Sequence, residues 1–410
     1  MNHSRKINPP EWMKSKEARS VMKALNPKGK EPFSLFVGGC VRDSILGRIE
    51  EGEAPDIDIA TKYTPEEVMK ILEQAGIKTI PTGIDFGTVT AVTGTKTFEI
   101  TTLRRDIDTD GRHAVVSYAK DWGEDAARRD FTMNTLLADI NGRIYDPLGC
   151  GLTDLEDRCV KFVGEPAGRI AEDYLRILRF FRFYALYGSG EPDSEAFEAC
   201  RQAAPKIALL SRERISQEFF KIINIEEPLP VLLKMRECGV LSAILPTDFP
   251  QDLLASLCDL QNEYGLASIA SRLLVLIDMN VSNIDALESS LVLSNALKKE
   301  ILYLNDAITR PGKGQIKSGK ELIYRYSRIV AAQAMILNAA MQKDRIEELD
   351  EQIALVRNWM PPVFPLSGQD MIDAGYDSGP ALGEKLAEIE KWWIENDFVP
   401  DREQCLNKIK

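Results

Sequence analysis

A chain of 410 residues exceeds one ordinary core and implies several modules, and a content of 44% apolar and 28% charged residues is that of a globular protein. No apolar run reaches the roughly 18 residues of a transmembrane helix, and residues 1–30 lack the apolar stretch of a signal peptide. Seven scattered cysteines with no CxxC pair offer no zinc site and suit the reduced thiols of a cytoplasm. The net charge of −12 excludes a uniformly basic nucleic-acid binder, but its distribution is uneven. Residues 1–30 carry eight Lys/Arg against two Glu, and Arg310, Lys313, Lys317, Lys320, Arg325 and Arg328 stand against Glu321 alone.

Along the chain, Phe33 to Val37 reads as a strand that runs into Gly38-Gly39 and a helical stretch, Val41 to Leu46. Asp56 to Ala60 alternates acid and apolar residues with the period of a half-buried strand. Pro65 to Ala75 reads as a helix with Thr64 as N-cap and Gly76 as its stop. Val89 to Val92 and Thr97 to Thr101 flank Gly94-Thr95 as a hairpin. Asp110-Gly111 marks a second hairpin within Ile107 to Tyr118, and Arg128 to Leu137 is expected to be helical. From residue 165 the pattern turns helical, with Ile170 to Tyr187 and Ser211 to Ile223 the clearest examples, and breaks at 246–250, 310–316 and 361–368 suggest module boundaries.

Five constellations carry chemistry. Gly38-Gly39 between strand and helix exposes backbone N–H groups suited to phosphate, with Arg42 as a charged neighbour, although such a pair alone is more often a turn. Asp56 and Asp58 lie two apart on a strand and project from one face, where a divalent cation would offset their repulsion. Glu99, between Phe98 and Ile100, supplies a third carboxylate of the kind two-metal nucleotidyl transfer uses. Arg128-Arg129-Asp130 with Thr132 and Asn134 suits phosphate and ribose. Glu172 and Asp173 precede Arg176, Arg179 and Arg182; on a continuous helix Asp173 and Arg176 share a face, and the three arginines form a basic row beside Leu175, Leu178 and Phe181.

Taken in order, Gly38-Gly39-x-x-Arg42-Asp43, the Asp56/Asp58 pair, Arg128-Arg129-Asp130, Glu172-Asp173-x-x-Arg176 and the Arg212 to Glu218 stretch resemble class II tRNA nucleotidyltransferases, the CCA-adding enzymes of the tRNA nucleotidyltransferase/poly(A) polymerase family. The resemblance covers about residues 33–224, and Pro365 to Asp370 and Trp392 to Phe398 look like the family's C-terminal tail. It implies an α+β fold: a nucleotidyltransferase (polymerase β-like) head with a mixed sheet, then an all-α neck, body and tail. The corresponding segments are a basic helical segment 1–30, a head 31–161, a neck 162–225, a body 226–309 and a tRNA-binding tail 310–410. The resemblance further implies Mg²⁺ held by Asp56 and Asp58, and the strand position of Glu99 makes it the third catalytic candidate. Gly38, Gly39 and Arg42 would meet the triphosphate of CTP or ATP. Arg128, Arg129, Asp130 and Asn134 would lie near sugar and phosphates, Asp173 and Arg176 would read the base, and Arg179 and Arg182 would support that pocket. The acceptor is the tRNA 3′ end.

Asp173 accepts and Arg176 donates, which suits the amino group beside a ring nitrogen in both cytosine and adenine and opposes uracil and guanine. A flexible loop around Arg105, Asp106, Asp110, Gly111 and Arg112 resembles that of full CCA-adding enzymes and favours complete CCA addition over a partial CC- or A-adding activity. A bacterial poly(A) polymerase remains the other alternative, though such enzymes carry a basic C-terminal extension and this chain ends in an acidic segment.

Overall fold

The computed structural model describes residues 3–27, 31–50, 52, 55–94, 96–105, 117–309, 319–342 and 346–409. Its contacts divide the chain into two compact units, Met1–Ser211 with Lys234–Val240, and Arg212–Leu233 with Leu241–Lys410.

The first unit is built on an eight-stranded mixed sheet in the order β1-β10-β9-β2-β3-β6-β5-β4. The strands are β1 (Arg5–Lys6), β2 (Ser34–Val37), β3 (Ile57–Thr61), β4 (Lys78–Gly83), β5 (Thr88–Thr93) and β6 (Lys96–Thr102), with β9 (Leu137–Ala138) and β10 (Arg143–Tyr145). A separate pair joins β7 (Arg104–Arg105) to β8 (Ser117–Tyr118). All the pairings are antiparallel except β3 with β6. The expected helix at 65–75 is present as Pro65–Gln74, closed at its start by a Thr64/Glu67 capping box, and Gly76 follows at φ +70°. The hairpin around Gly94 forms from β5 and β6.

The basic N-terminal segment is part of this unit. Trp12 and Met13 are buried, Trp12 meets Phe36 edge-on at 4.9 Å, and its Nε1–H donates to Ser44 Oγ at 3.1 Å. Arg128 to Leu137 is not a helix. The helix comes earlier, at Trp122–Ala127, capped by the Asp121 carboxylate, and Arg128 ends it. A 3₁₀ turn at Thr132–Asn134 and strand β9 take the remainder, because Asp130 draws in the Phe131 N–H at 2.9 Å and interrupts helical pairing.

The second unit is helical among its described residues. At its centre Arg272 is fully buried, donating from Nε to Gln261 Oε1 at 2.7 Å and from Nη1 to the Ile223 and Ile225 carbonyls at 2.6 Å. Gln261 in turn donates to Ser271 Oγ and Gln333 Oε1. Of the basic cluster at 310–328, Lys320 pairs with Asp397 at 2.6 Å, Arg325 with Glu321 at 2.8 Å, and Arg328 donates to the carbonyls of Val356, Arg357 and Trp359. Arg310, Lys313 and Lys317 lie outside the described residues. No helix among the described residues is long and apolar enough to cross a membrane.

Candidate active site

Strand β3 buries Ile57 and Ile59 and turns Asp58 to the other face. Strand β6 buries Phe98 and Ile100 and leaves Glu99 exposed. The parallel register sets Asp58 directly beside Glu99, so the same apolar residues that build the sheet fix two carboxylates on one face. Asp56 precedes β3 and is exposed. All three carboxylates line a cavity of about 500 Å³, together with Lys96 and Thr97. Burial, then the negative charges of Glu99 and Asp56, push the Asp58 carboxyl up to about 6, and Arg129 opposes the rise.

Among the described residues no three His, Cys, Asp or Glu side chains converge into a ready-made cation cage. The donor set is instead hard carboxylate oxygens at an open cavity, crowded enough that Glu99 and Asp56 help to raise the Asp58 carboxyl. That suits a divalent cation that draws its remaining oxygens from a triphosphate and water.

Gly38 joins β2 to the helix Gly39–Ile45 with φ +76°, a conformation that costs glycine little. A Cβ at Gly38 would lie 3.8 Å from Asp58 Oδ2 and 3.9 Å from Arg129 Nη1, so the backbone here comes close to both the carboxylate and the guanidinium. Gly39 lies against Arg42, a Cβ there meeting Arg42 Nη2 at 3.7 Å.

Arg128 and Arg129 are both held by Asp125, a buried carboxylate one turn earlier. Its Oδ1 accepts from Arg128 Nε at 2.8 Å, and its Oδ2 accepts from Arg129 Nη2 at 3.0 Å. Burial alone would raise Asp125, but the two guanidinium groups and the Arg104 N–H outweigh it and hold its carboxyl below the usual range.

Asp130 forms a second hub. It accepts from Asn134 Nδ2 at 3.0 Å and pairs with Arg179 through Nε at 2.8 Å. Against the cost of burial, Arg179 and Asn134 hold its carboxyl below the usual range. Asn134 Oδ1 accepts from Arg42 Nη1 at 2.7 Å. Arg42 is itself buried, bound to Asp43 at 2.9 Å and Tyr187 Oη at 2.5 Å, with its guanidinium 4.0 Å from the Tyr187 ring centroid.

Comparison with known proteins gives the arrangement a context. Residues 34–161 match the poly A polymerase head domain, and residues 191–247 match a domain described as the probable RNA and SrmB-binding site of polymerase A. The chain is 32% identical to the mitochondrial CCA tRNA nucleotidyltransferase 1 of Danio rerio over 93% of this chain and 88% of that protein. It is 31% identical to the CCA-adding enzyme of Streptococcus suis over 96% of both. The chain belongs to the CCA tRNA nucleotidyltransferase family. A crystal structure of the Bacillus stearothermophilus CCA-adding enzyme in complex with CTP superposes with a TM-score of 0.76 at 27% identity, covering 93% of each chain. The mixed-sheet head followed by helices is the fold of that family.

Against this family frame, the expected continuous helix from Ile170 to Tyr187 is broken. One helix spans Pro166–Glu172 and the next Leu175–Tyr187, and Asp173 between them is extended at φ −155°. Its Oδ1 accepts the Leu175 N–H at 3.1 Å, so the side chain competes for a backbone partner and starts the second helix. Asp173 and Arg176 therefore do not share a helix face. Arg176 Nη1 pairs instead with Glu172 Oε2 at 2.5 Å. Arg179 and Arg182 follow on the second helix, their guanidinium groups 5.7 Å and 4.8 Å from the Phe183 ring centroid. Arg105 lies in β7 at the base of the expected loop, whereas Asp106, Asp110, Gly111 and Arg112 lie outside the described residues.

Asp125 is a site residue outside the five constellations, although its spacing to Arg128 and Arg129 is the i,i+3 and i,i+4 of a helical ion pair, a signal present in the sequence.

Proposed function

We propose that the chain adds CCA to the 3′ end of tRNA from CTP and ATP without a nucleic-acid template, releasing pyrophosphate at each step. The observation that carries this reading is the register pairing of Asp58 with Glu99 beside Asp56 in one cavity, in a chain similar to CCA-adding enzymes along almost its whole length. We assign Mg²⁺ to Asp56 and Asp58, where it would withdraw charge from the triphosphate. Glu99 would orient the attacking 3′-hydroxyl. Arg129, fixed by Asp125 near Gly38, would meet the phosphates, with Arg128 held by the same carboxylate. Arg42, Asn134, Asp130 and Arg179 form a framework that sets the neighbouring backbone rather than a loose set of phosphate ligands. Asp173 is an acceptor and Arg176 a donor, so the pair suits the amino edges of cytosine and adenine. The seven free thiols, five of them buried, fit a reducing cytoplasm.

The test is incubation of the protein and Mg²⁺ with tRNA lacking its 3′ CCA, each nucleotide separately and then CTP with ATP, and sequencing of the products. CC from CTP alone and CCA from the mixture are expected. An extended adenosine tract from ATP alone would make it a poly(A) polymerase, and a halt after CC with both nucleotides present would make it a partial enzyme.

A further inference from the structure

Arg169, on the helix Pro166–Glu172, has no part in the roles above, and it is buried. Its planar guanidinium is gripped on two sides. Nη1 donates to Glu172 Oε1 at 2.7 Å and to Oε2 at 2.6 Å. Nη2 donates to the backbone carbonyls of Arg128 and Arg129, the latter at 2.7 Å. The Nε–H is buried with no partner among the described residues. The next link is Arg176. Its Nη1 donates both to Glu172 Oε2 at 2.5 Å and to the backbone carbonyl of Arg169 at 2.7 Å.

One guanidinium thus fixes the main chain of the Arg128-Arg129 pair and, through Glu172, the side chain of Arg176. A fork with donors at fixed angles can hold these acceptors together, and an ammonium group cannot. The Asp130–Arg179 pair ties the second helix to the same segment, and Arg169 adds the link that runs from the Arg128-Arg129 carbonyls through Glu172 to the Arg176 guanidinium itself.

We propose that Arg169 is a positioning residue that couples the phosphate end of the nucleotide site to its base-reading end, so that nucleotide selection depends on a side chain that touches no nucleotide. The proposal rests on the base-reading role assigned above to Arg176. It predicts a particular pattern. Losing the fork lets Arg176 shift relative to the triphosphate, which weakens binding of the correct base more than it slows the chemistry of a nucleotide once bound.

The test uses the full chain with Mg²⁺ and tRNA lacking CCA, comparing wild type with Arg169→Lys. The ratio of UMP to CMP incorporation is expected to rise about tenfold, and KM for CTP and ATP to rise several-fold, while kcat at saturating CTP stays within about threefold. Glu172→Gln should produce the same change in ratio, and the double variant should be no worse than the poorer single one, because both break one chain of contacts. Effects of the two substitutions that simply add would overturn the coupling. So would an unchanged UMP to CMP ratio in folded Arg169→Lys, even with a lowered melting temperature, since that is the mark of a merely structural arginine. If Arg169→Lys does not fold, Glu172→Gln alone decides by the same ratio. Equilibrium binding of CTP and UTP to the same proteins without tRNA keeps this distinct from the proposed function. A wild type that prefers CTP while the variants lose that preference supports the coupling even if tRNA proves not to be the acceptor.

Discussion

Both units of the protein bury arginines, and Arg272 in one and Arg42 in the other have different surroundings. Arg272 in the helical unit meets only neutral acceptors, the Gln261 amide and two main-chain carbonyls, inside a network of Gln and Ser side chains. Arg42 in the sheet-based unit meets Asp43, Tyr187 and Asn134, and Asn134 leads on to Asp130 and Arg179. A buried guanidinium is therefore not in itself a sign of a site. What separates the two is continuity with charged groups: Arg42 pairs with Asp43 and reaches Asp130 and Arg179 through Asn134, whereas Arg272 ends on neutral acceptors.

The largest effect should come from the carboxylate cavity of the sheet-based unit. Asp58→Ala is expected to lower nucleotide addition by at least about a thousandfold. It should leave the melting temperature unchanged or higher, since it removes a carboxyl crowded by Glu99 and Asp56. Product gels and a thermal melt check both, and a variant retaining a tenth of wild-type turnover would remove Asp58 from the site.

The next test sets the two arginines against each other. Arg42→Met should cost about a hundredfold in kcat/KM for CTP through misplacement of the neighbouring backbone. Arg272→Met should leave kcat/KM of the folded enzyme near wild type while costing about 3 kcal/mol of stability in its unit, because three acceptors lose their donor. Urea unfolding paired with steady-state kinetics reads both. An Arg272→Met enzyme with altered CTP preference would break the comparison.

A smaller effect is expected from pH. The Asp130 carboxyl sits below its ordinary value in the folded protein, so it adds stability that is complete above about pH 4, the unfolded value, and is lost as pH falls through the depressed folded value. Unfolding free energy measured from pH 5 downward should therefore fall more steeply in wild type than in Asp130→Asn, which at neutral pH should be about 2 kcal/mol less stable. Equal slopes would show that the Arg179 pairing does not favour the charged carboxylate.

The smallest effect is at the Thr64 cap. Thr64→Ala removes the side-chain acceptor for the Glu67 N–H and should cost about 1 kcal/mol with no change in activity, measured by the same unfolding and kinetic assays.

The legible parts of the sequence were those where periodicity and chemistry coincide. Ile57 and Ile59 around Asp58, and Phe98 and Ile100 around Glu99, announce strands and place the acids in one stroke. Thr64 and Gly76 bracket a helix by their own chemistry. Strand β4 went unread because it contains Pro81 and is mostly exposed, which is possible only because it lies at the sheet edge. Strands β9 and β10 are too short to show a period. The break at Asp173 depends on one side chain capturing a main-chain N–H, which an apolar pattern running through it does not register. Arg169 was hidden for a different reason: its partners across the site are carbonyls about forty residues away, and carbonyls have no sequence signature.

The register of β3 and β6 has a consequence for how such a chain can change over generations. Five successive pairs, from Ile57 with Phe98 to Thr61 with Thr102, hold Asp58 beside Glu99. Substitutions along these strands alter one side chain at a time, but inserting or deleting a single residue within either strand would exchange the cavity face for the buried face and offer Ile59 or Ile100 where a carboxylate is needed. Length variation is therefore admissible at the turns, such as that at Gly94, and inadmissible in the strands. Among descendants of this sequence the spacing within each strand should outlast the identity of almost every residue in it.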